Sequence, residues 1–130
     1  MWKIEKDNVA ELPSFKLTFS DFMRREEMHE WVEASRKELQ SAPKKFVVQV
    51  DMRGLKPLPS DAQEEMQVGQ KLYKSSGMMR SAVLVDTAIV KMQFERIAKE
   101  TGIYEWERYF SAEEPEFEAS MERWLGAAQD

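Results

Sequence analysis

The stretch of sequence that decides the fold is FVVQV, at residues 46–50. It is almost continuously apolar and rich in β-branched side chains, which is typical of a strand covered on both faces, as in a parallel sheet. A second run of this kind is AVLV, at residues 82–85. Because segments with helical periodicity separate the strands, we expect right-handed crossovers between them.

Before and after these two runs, the sequence predicts three further strands. WKIE at residues 2–5 and FKLTF at residues 15–19 alternate between apolar and polar side chains, which predicts two strands that each have one solvent-exposed face. The first of them is expected to pair antiparallel at an edge of the sheet. Residues 103–110 form an aromatic-rich segment that predicts the last strand, with Glu105 and Glu107 on a solvated side.

Four helices are predicted between and after the strands, from apolar residues spaced at the helical period. The resulting order is β-β-α-β-α-β-α-β-α, a single α/β domain over residues 1–130 with a mostly parallel five-stranded sheet. The stripes are Met28, Trp31, Val32, Ser35 and Leu39; Ala62, Met66, Gly69 and Tyr73; Val90, Phe94, Ile97, Ala98 and Thr101; and Phe117, Met121, Trp124 and Leu125.

The composition is that of an ordinary globular domain. The chain of 130 residues is 42% hydrophobic and 33% charged, with no cysteine and a net charge of -5. The lack of cysteine excludes disulfides and favours a reducing compartment, so we expect a cytoplasmic protein. The acidic balance argues against nucleic acid as the main partner. The first residues lack a secretory signal, and no apolar run approaches the ~20 residues of a membrane span.

A loop after the first buried run leads to a serine at a predicted helix start. The sequence VQVDMRGL at residues 48–55 is followed by PSDA at residues 59–62. This arrangement and the element order resemble the STAS domains, named for sulfate transporters and anti-sigma factor antagonists. The resemblance implies that Ser60 corresponds to the serine that is phosphorylated in the antagonists. Pro59, Asp61 and Ala62 depart from the family's Asp-Ser-Ser-Gly motif, so a kinase specific for that motif would meet a different sequence here.

The C-terminal half is similar to the lone SpoIIAA-like domains of bacteria, which are often grouped with SEC14-like lipid-binding folds. The likeness is carried by RSAVLVD at residues 80–86, RYF at residues 108–110 and Trp124-Leu125 in a Glu-rich final helix. It implies the fold, whereas many of those domains have no assigned role. Two functions follow as alternatives: a non-catalytic module that binds another protein, and a carrier of a small apolar ligand or lipid.

The ends of the two buried strands predict a polar binding rim. Parallel strands bring their carboxyl ends to one edge of the sheet, where helix N-termini favour anions. Ser60 is predicted to cap its helix in a capping box with Gln63, and Asp86 and Thr87 to cap the next one. The predicted rim residues are Asp51, Ser60, Asp61, Asp86 and Thr87.

The residues offer little for catalysis or for holding a metal or cofactor. The only histidine, His29, lies in a Glu-rich helical stretch and is predicted to be a half-exposed surface residue. His29 and Glu33 lack a third metal ligand, and no glycine-rich phosphate loop occurs. We therefore expect neither an enzyme nor a bound cofactor.

A partner face is predicted from apolar residues outside the helical stripes. Ile89 and Met92 are expected to face solvent, and Met78 and Met79 are expected in the loop before AVLV. Methionine adapts to irregular surfaces, which suits a partner groove or a lipid pocket. A homodimer through Ile89 and Met92, or through an exposed sheet edge, is a third hypothesis.

Overall fold

Five strands and four α-helices alternate in the computed structural model, which describes residues 1–129. The strands are β1 (Trp2–Val9), β2 (Leu12–Phe19), β3 (Phe46–Asp51), β4 (Met78–Val85) and β5 (Glu107–Ser111). The helices are α1 (Arg25–Leu39), α2 (Ser60–Ser76), α3 (Ala88–Thr101) and α4 (Phe117–Gly126), with 3-10 turns at Tyr104–Trp106 and Ala127–Gln129. Within the described residues, none of the helices combines the length and the apolar character needed to cross a bilayer.

The sheet is mixed, with strand order β1-β2-β3-β4-β5. β1 pairs antiparallel with β2, as expected for the first strand, and the pairs β2–β3, β3–β4 and β4–β5 are parallel. The description "mostly parallel" is therefore replaced by a mixed sheet. In the register of the two buried strands, Val50 lies opposite Val83 and Asp51 opposite Leu84.

The helices form a layer on each face of the sheet. Each crossover from β2 to β5 steps to the next strand in the same direction, so right-handed connections place α1, α2 and α3 on one face. Trp31, Met66 and Phe94 from these helices share the main core with Val48 of β3. On the opposite face, Leu125 of α4 packs in a smaller cluster with Val47 and Ala82.

The main core is organised around the Trp31 side chain. Its ring stacks on Tyr73 with centroids 5.7 Å apart and meets Phe19 edge-on at 5.1 Å. A Cβ added at Gly69 would overlap the Trp31 ring, so the glycine allows α1 and α2 to approach closely. The stripes predicted for α1 and α2 are buried in full, and that of α3 is buried except for the half-buried Thr101.

Three local predictions are wrong. Met78 and Met79 belong to β4, not to a preceding loop, because a single residue, Gly77, connects α2 to that strand. Residues 104–106 form a 3-10 turn, and Glu107, expected on a solvated face, is 8% exposed. SAEE at residues 111–114 predicts a capping box at the start of the last helix, but that helix begins at Phe117. The hydroxyl of Ser111 accepts from the Glu113 N–H (3.2 Å) in a turn that precedes the helix.

Candidate functional site

The carboxyl ends of β3 and β4 meet at one edge of the sheet, as the sequence predicted. We call this the carboxyl edge and define it by the segments 20–24, 52–59 and 86–87, together with the first turns of α2 and α3. The two strands run parallel and pair with each other up to Asp51 and Leu84. The neighbouring β2 ends at Phe19, so its exit segment reaches the same edge.

The loop after β3 forms the centre of this edge. The Asp21 N–H donates to the Gly54 carbonyl (2.9 Å), and the Gly54 N–H donates to Asp86 Oδ2 (2.9 Å). The Leu58 N–H donates to Gln93 Oε1 (2.9 Å), and Gln93 Nε2 donates back to the Leu58 carbonyl (3.2 Å). These bonds join the exits of β2, β3 and β4 to the start of α3 in one connected surface.

Asp51 is held in a bidentate ion pair with Arg53. Its Oδ1 accepts from Arg53 Nε (3.0 Å) and from the Arg53 N–H (3.1 Å), while its Oδ2 accepts from Arg53 Nη2 (2.8 Å). Burial opposes the ionisation of Asp51, but the hydrogen bonds and charge of Arg53 outweigh it, so the pKa of Asp51 is lowered. The carboxylate is thus already bound within the protein.

The two helix starts differ in how they are capped. Thr87 Oγ1 accepts from the Val90 N–H (3.3 Å), which confirms Thr87 as the cap of α3. Asp86, which was also predicted to cap this helix, accepts from the Gly54 N–H instead. At α2 the predicted capping box is wrong: Pro59 is the N-cap residue and supplies no side-chain bond. Gln63 Nε2 donates to the Leu58 carbonyl (2.8 Å) and not to Ser60, which is exposed, as is Asp61.

Three large apolar side chains are exposed around the carboxyl edge. Phe22, in the segment after β2, is 72% exposed, while Ile89 and Met92 in the first turns of α3 are 61% and 67% exposed. The sequence predicted the exposure of Ile89 and Met92 but missed Phe22. The neighbouring Met23 is 2% exposed, and the pattern does not show which of the two adjacent side chains enters the core.

The predicted partner face is divided by the structure. Met78 and Met79 are half-buried at the beginning of β4, whereas Ile89 follows the end of that strand. A strand of this length spans roughly 23 Å at ~3.3 Å per residue. Met78 and Met79 therefore lie at the opposite end of the strands from Ile89 and Met92. Only Ile89 and Met92 belong to the carboxyl edge.

A polar groove of about 420 Å³ lies between α4 and the sheet, beside Asp51. One wall carries Lys16 and Arg53, and the other carries Glu118 and Glu122 of α4. The sequence did not reveal this groove, because its walls come together only when α4 crosses to the face opposite the other helices. Its volume falls in the range of small-molecule sites, and five of its fourteen lining residues are charged.

Glu107 is a carboxyl group that lies inside the core. Its Oε1 accepts from Ser81 Oγ (2.7 Å), and its Oε2 accepts from the Tyr109 hydroxyl. Burial raises the pKa of Glu107 to about 7, although the two hydrogen bonds oppose the shift. The adjoining cavity on the side of the core has a volume of about 30 Å³, room for roughly one water.

Neither a metal cluster nor a serine bonded to the histidine is found within the described part of the chain. His29 contacts Glu65 (3.3 Å) and Glu33 (3.8 Å), and no serine hydroxyl is bonded to it. Among residues 1–129, no three potential metal-binding side chains are grouped closely enough to hold an ion.

Comparison of the chain with protein-family models, curated proteins and solved structures found no match.

Proposed function

We propose that the protein is a non-catalytic interaction module, similar in kind to a lone SpoIIAA-like STAS domain, that binds another protein at its carboxyl edge. The observation that carries the proposal is the exposure of Phe22, Ile89 and Met92 around that edge. Single exposed apolar residues are common, but several at one connected surface are typical of a protein interface.

The polar groups of the edge support a protein partner over a small polar ligand. Asp51 forms an ion pair with Arg53. The Gly54 N–H donates to Asp86, and the Val90 N–H donates to Thr87. A small polar ligand would have to share or compete with these internal bonds. A protein surface can instead cover the apolar side chains and leave the polar groups around them in place, which is the usual composition of an interface.

Replacement of the three apolar side chains tests the proposal. We expect the triple substitution Phe22→Ser, Ile89→Ser, Met92→Ser to weaken binding of a co-purifying partner by about 30-fold or more, because buried apolar anchors dominate interface energetics. Titration calorimetry with the purified partner measures the change. Val68→Ser is the matched control, since Val68 is an apolar residue of α2 with 45% exposure. If both variants weaken partner binding equally, or if the triple variant does not weaken it, the partner does not bind at the carboxyl edge.

Control at Ser60 is part of the same proposal. The residue is exposed at the first position of α2, where a phosphate would add about -1.5 to -2 charge beside Asp61. The helix dipole favours that charge and the neighbouring carboxylate opposes it. We expect Ser60→Asp to change partner affinity by about 10-fold, with Ser60→Ala close to the wild type. If Ser60→Asp binds every partner as the wild type does, the switch is excluded.

The carrier of a small apolar ligand is the second proposal, and it rests on the SEC14-like resemblance. Such a ligand needs an apolar cavity of several hundred Å³, on the order of 300 Å³ or more. The cavity between the sheet and α2 has a volume of about 30 Å³. A carrier that enclosed an acyl chain within the core would therefore have to separate helices from the sheet, and we rank this function below protein binding.

A further inference from the structure

A second pocket lies at the opposite edge of the sheet from the proposed docking surface. We call it the amino-edge pocket, because it forms where β4 begins, between the end of α2 and the two 3-10 turns. Its volume is about 420 Å³, within the range of sites for small organic molecules. The residues that line it include Lys74, Met78, Met79, Arg80, Ile103 and Trp106.

The charge of the pocket is opposite to that of the protein. Lys74 and Arg80 line it, and none of the acidic residues that the structure describes does. The chain as a whole carries 24 acidic and 19 basic residues. Within residues 1–129, neither Lys74 nor Arg80 forms an ion pair with a carboxylate. A pocket with two cations that have no ion-pair partner among the described residues favours an anion.

Arg80 is held in a fixed position by Trp124. Its guanidinium carbon lies 4.0 Å from the centroid of the Trp124 ring, and its Nη1 donates to the Trp124 carbonyl (2.9 Å). The ring is itself fixed, because Trp124 Nε1 donates to the Ser81 carbonyl (2.9 Å). Stacking occupies the face of the guanidinium and leaves most of its N–H donors available for a carboxylate, which they match in geometry.

Lys74 adds a second donor, and the rest of the wall is apolar. Lys74 Nζ donates to the Gly102 carbonyl (3.0 Å), which leaves two of its N–H groups without an assigned acceptor. Trp106 is 45% exposed and lines the pocket together with Met78 and Met79. An indole and two thioethers form a polarisable surface against which a planar or aliphatic group can pack.

We propose that the amino-edge pocket binds a small organic acid, whose carboxylate contacts Arg80 and Lys74 and whose apolar body lies against Trp106 and Met79. The site is separate from the carboxyl edge, so its test is independent of the proposed protein-binding function. The cations account for the acidic group of the ligand, and the exposed Trp106 accounts for the apolar body.

The proposal is tested by titrating the full chain with 2-naphthoate, with its neutral analogue 2-naphthalenemethanol and with inorganic phosphate. Binding is monitored by NMR of the indole and backbone N–H groups. We expect 2-naphthoate to bind saturably with a Kd of about 1 mM or tighter. The neutral alcohol and inorganic phosphate should each bind at least ~10-fold more weakly, because each lacks one of the two recognised parts.

Two variants and a matched control locate the site. We expect Lys74→Gln and Trp106→Ala each to weaken 2-naphthoate binding by about 10-fold. Both side chains are exposed, so neither variant removes part of the core. Lys71→Gln, one turn away on the exposed surface of α2, should leave the Kd unchanged. The proposal is overturned if 2-naphthoate does not saturate, if the alcohol or phosphate binds equally well, or if Lys71→Gln weakens binding as much as Lys74→Gln.

Discussion

Replacing Gly77 with alanine is expected to lower the free energy of unfolding by about 4 kcal/mol, from roughly 2 kcal/mol of backbone strain and about 2 kcal/mol of overpacking. Gly77 has a φ of 121°, a conformation that L side chains rarely adopt. An added Cβ would overlap the Lys44 carbonyl oxygen and lie 2.9 Å from its carbon. Because the obstacle is backbone, it cannot rotate away as a side chain could.

Gly54→Ala is the matched control for this prediction. Gly54 also has a positive φ, of 78°, but a Cβ added there meets nothing within 4 Å. We therefore expect only the backbone strain, about 1–2 kcal/mol. Urea unfolding followed by circular dichroism measures both variants. If the two substitutions cost the same, the Lys44 carbonyl is not the obstacle and the tight connection between α2 and β4 is more adaptable than its geometry indicates.

Glu107→Gln is expected to stabilise the protein at alkaline pH and to have much less effect in acid. The pKa of Glu107 is about 7 in the folded protein, against an ordinary value of 4.5. Between these values the folded state holds a proton that the unfolded state has lost, so stability falls as pH rises through that window. The loss from this residue amounts to roughly 3 kcal/mol once the pH is above 7.

The pH dependence of the difference between variant and wild type is the decisive quantity. The substituted amide would mimic the neutral acid, so the variant's free energy of unfolding relative to the wild type should grow between about pH 4.5 and pH 7 and then level off. Urea unfolding across this range measures it. Glu105→Gln, the same change at an exposed neighbour, should shift stability by less than ~0.5 kcal/mol at each pH. A pH-independent difference for Glu107→Gln would mean that this carboxyl group is not buried as described.

The sequence predicted the order of elements and the buried face of each crossover helix. Periodicity was sufficient there because residues such as Met28 and Trp31 of α1 lie on a single apolar face of the helix, and that face packs against the core. It failed at Glu107, because the alternation of Glu105 and Glu107 suggested a strand through both. A 3-10 turn occupies residues 104–106 instead, and the strand begins only at Glu107, whose side chain is buried.

The candidate site was predicted only in part. That the carboxyl ends of β3 and β4 meet at one edge follows from parallel pairing, which the sequence indicates. The internal partners of Asp51 and Asp86 do not follow, since Gly54 reaches Asp86 only through the course of an irregular loop. Ser60 was expected to cap α2, but Pro59 occupies that position and leaves the serine exposed.

The central claim is that another protein contacts the carboxyl edge, and site-specific photo-crosslinking in the cells that make the protein tests it most directly. The photoreactive amino acid p-benzoylphenylalanine replaces Phe22 in one variant and Tyr104, an aromatic residue with 40% exposure at the opposite edge, in the other. We expect a discrete adduct with a second protein from position 22 and none of that mass from position 104. Adducts of the same protein from both positions, or an adduct from position 22 only with another copy of this chain, would contradict the claim.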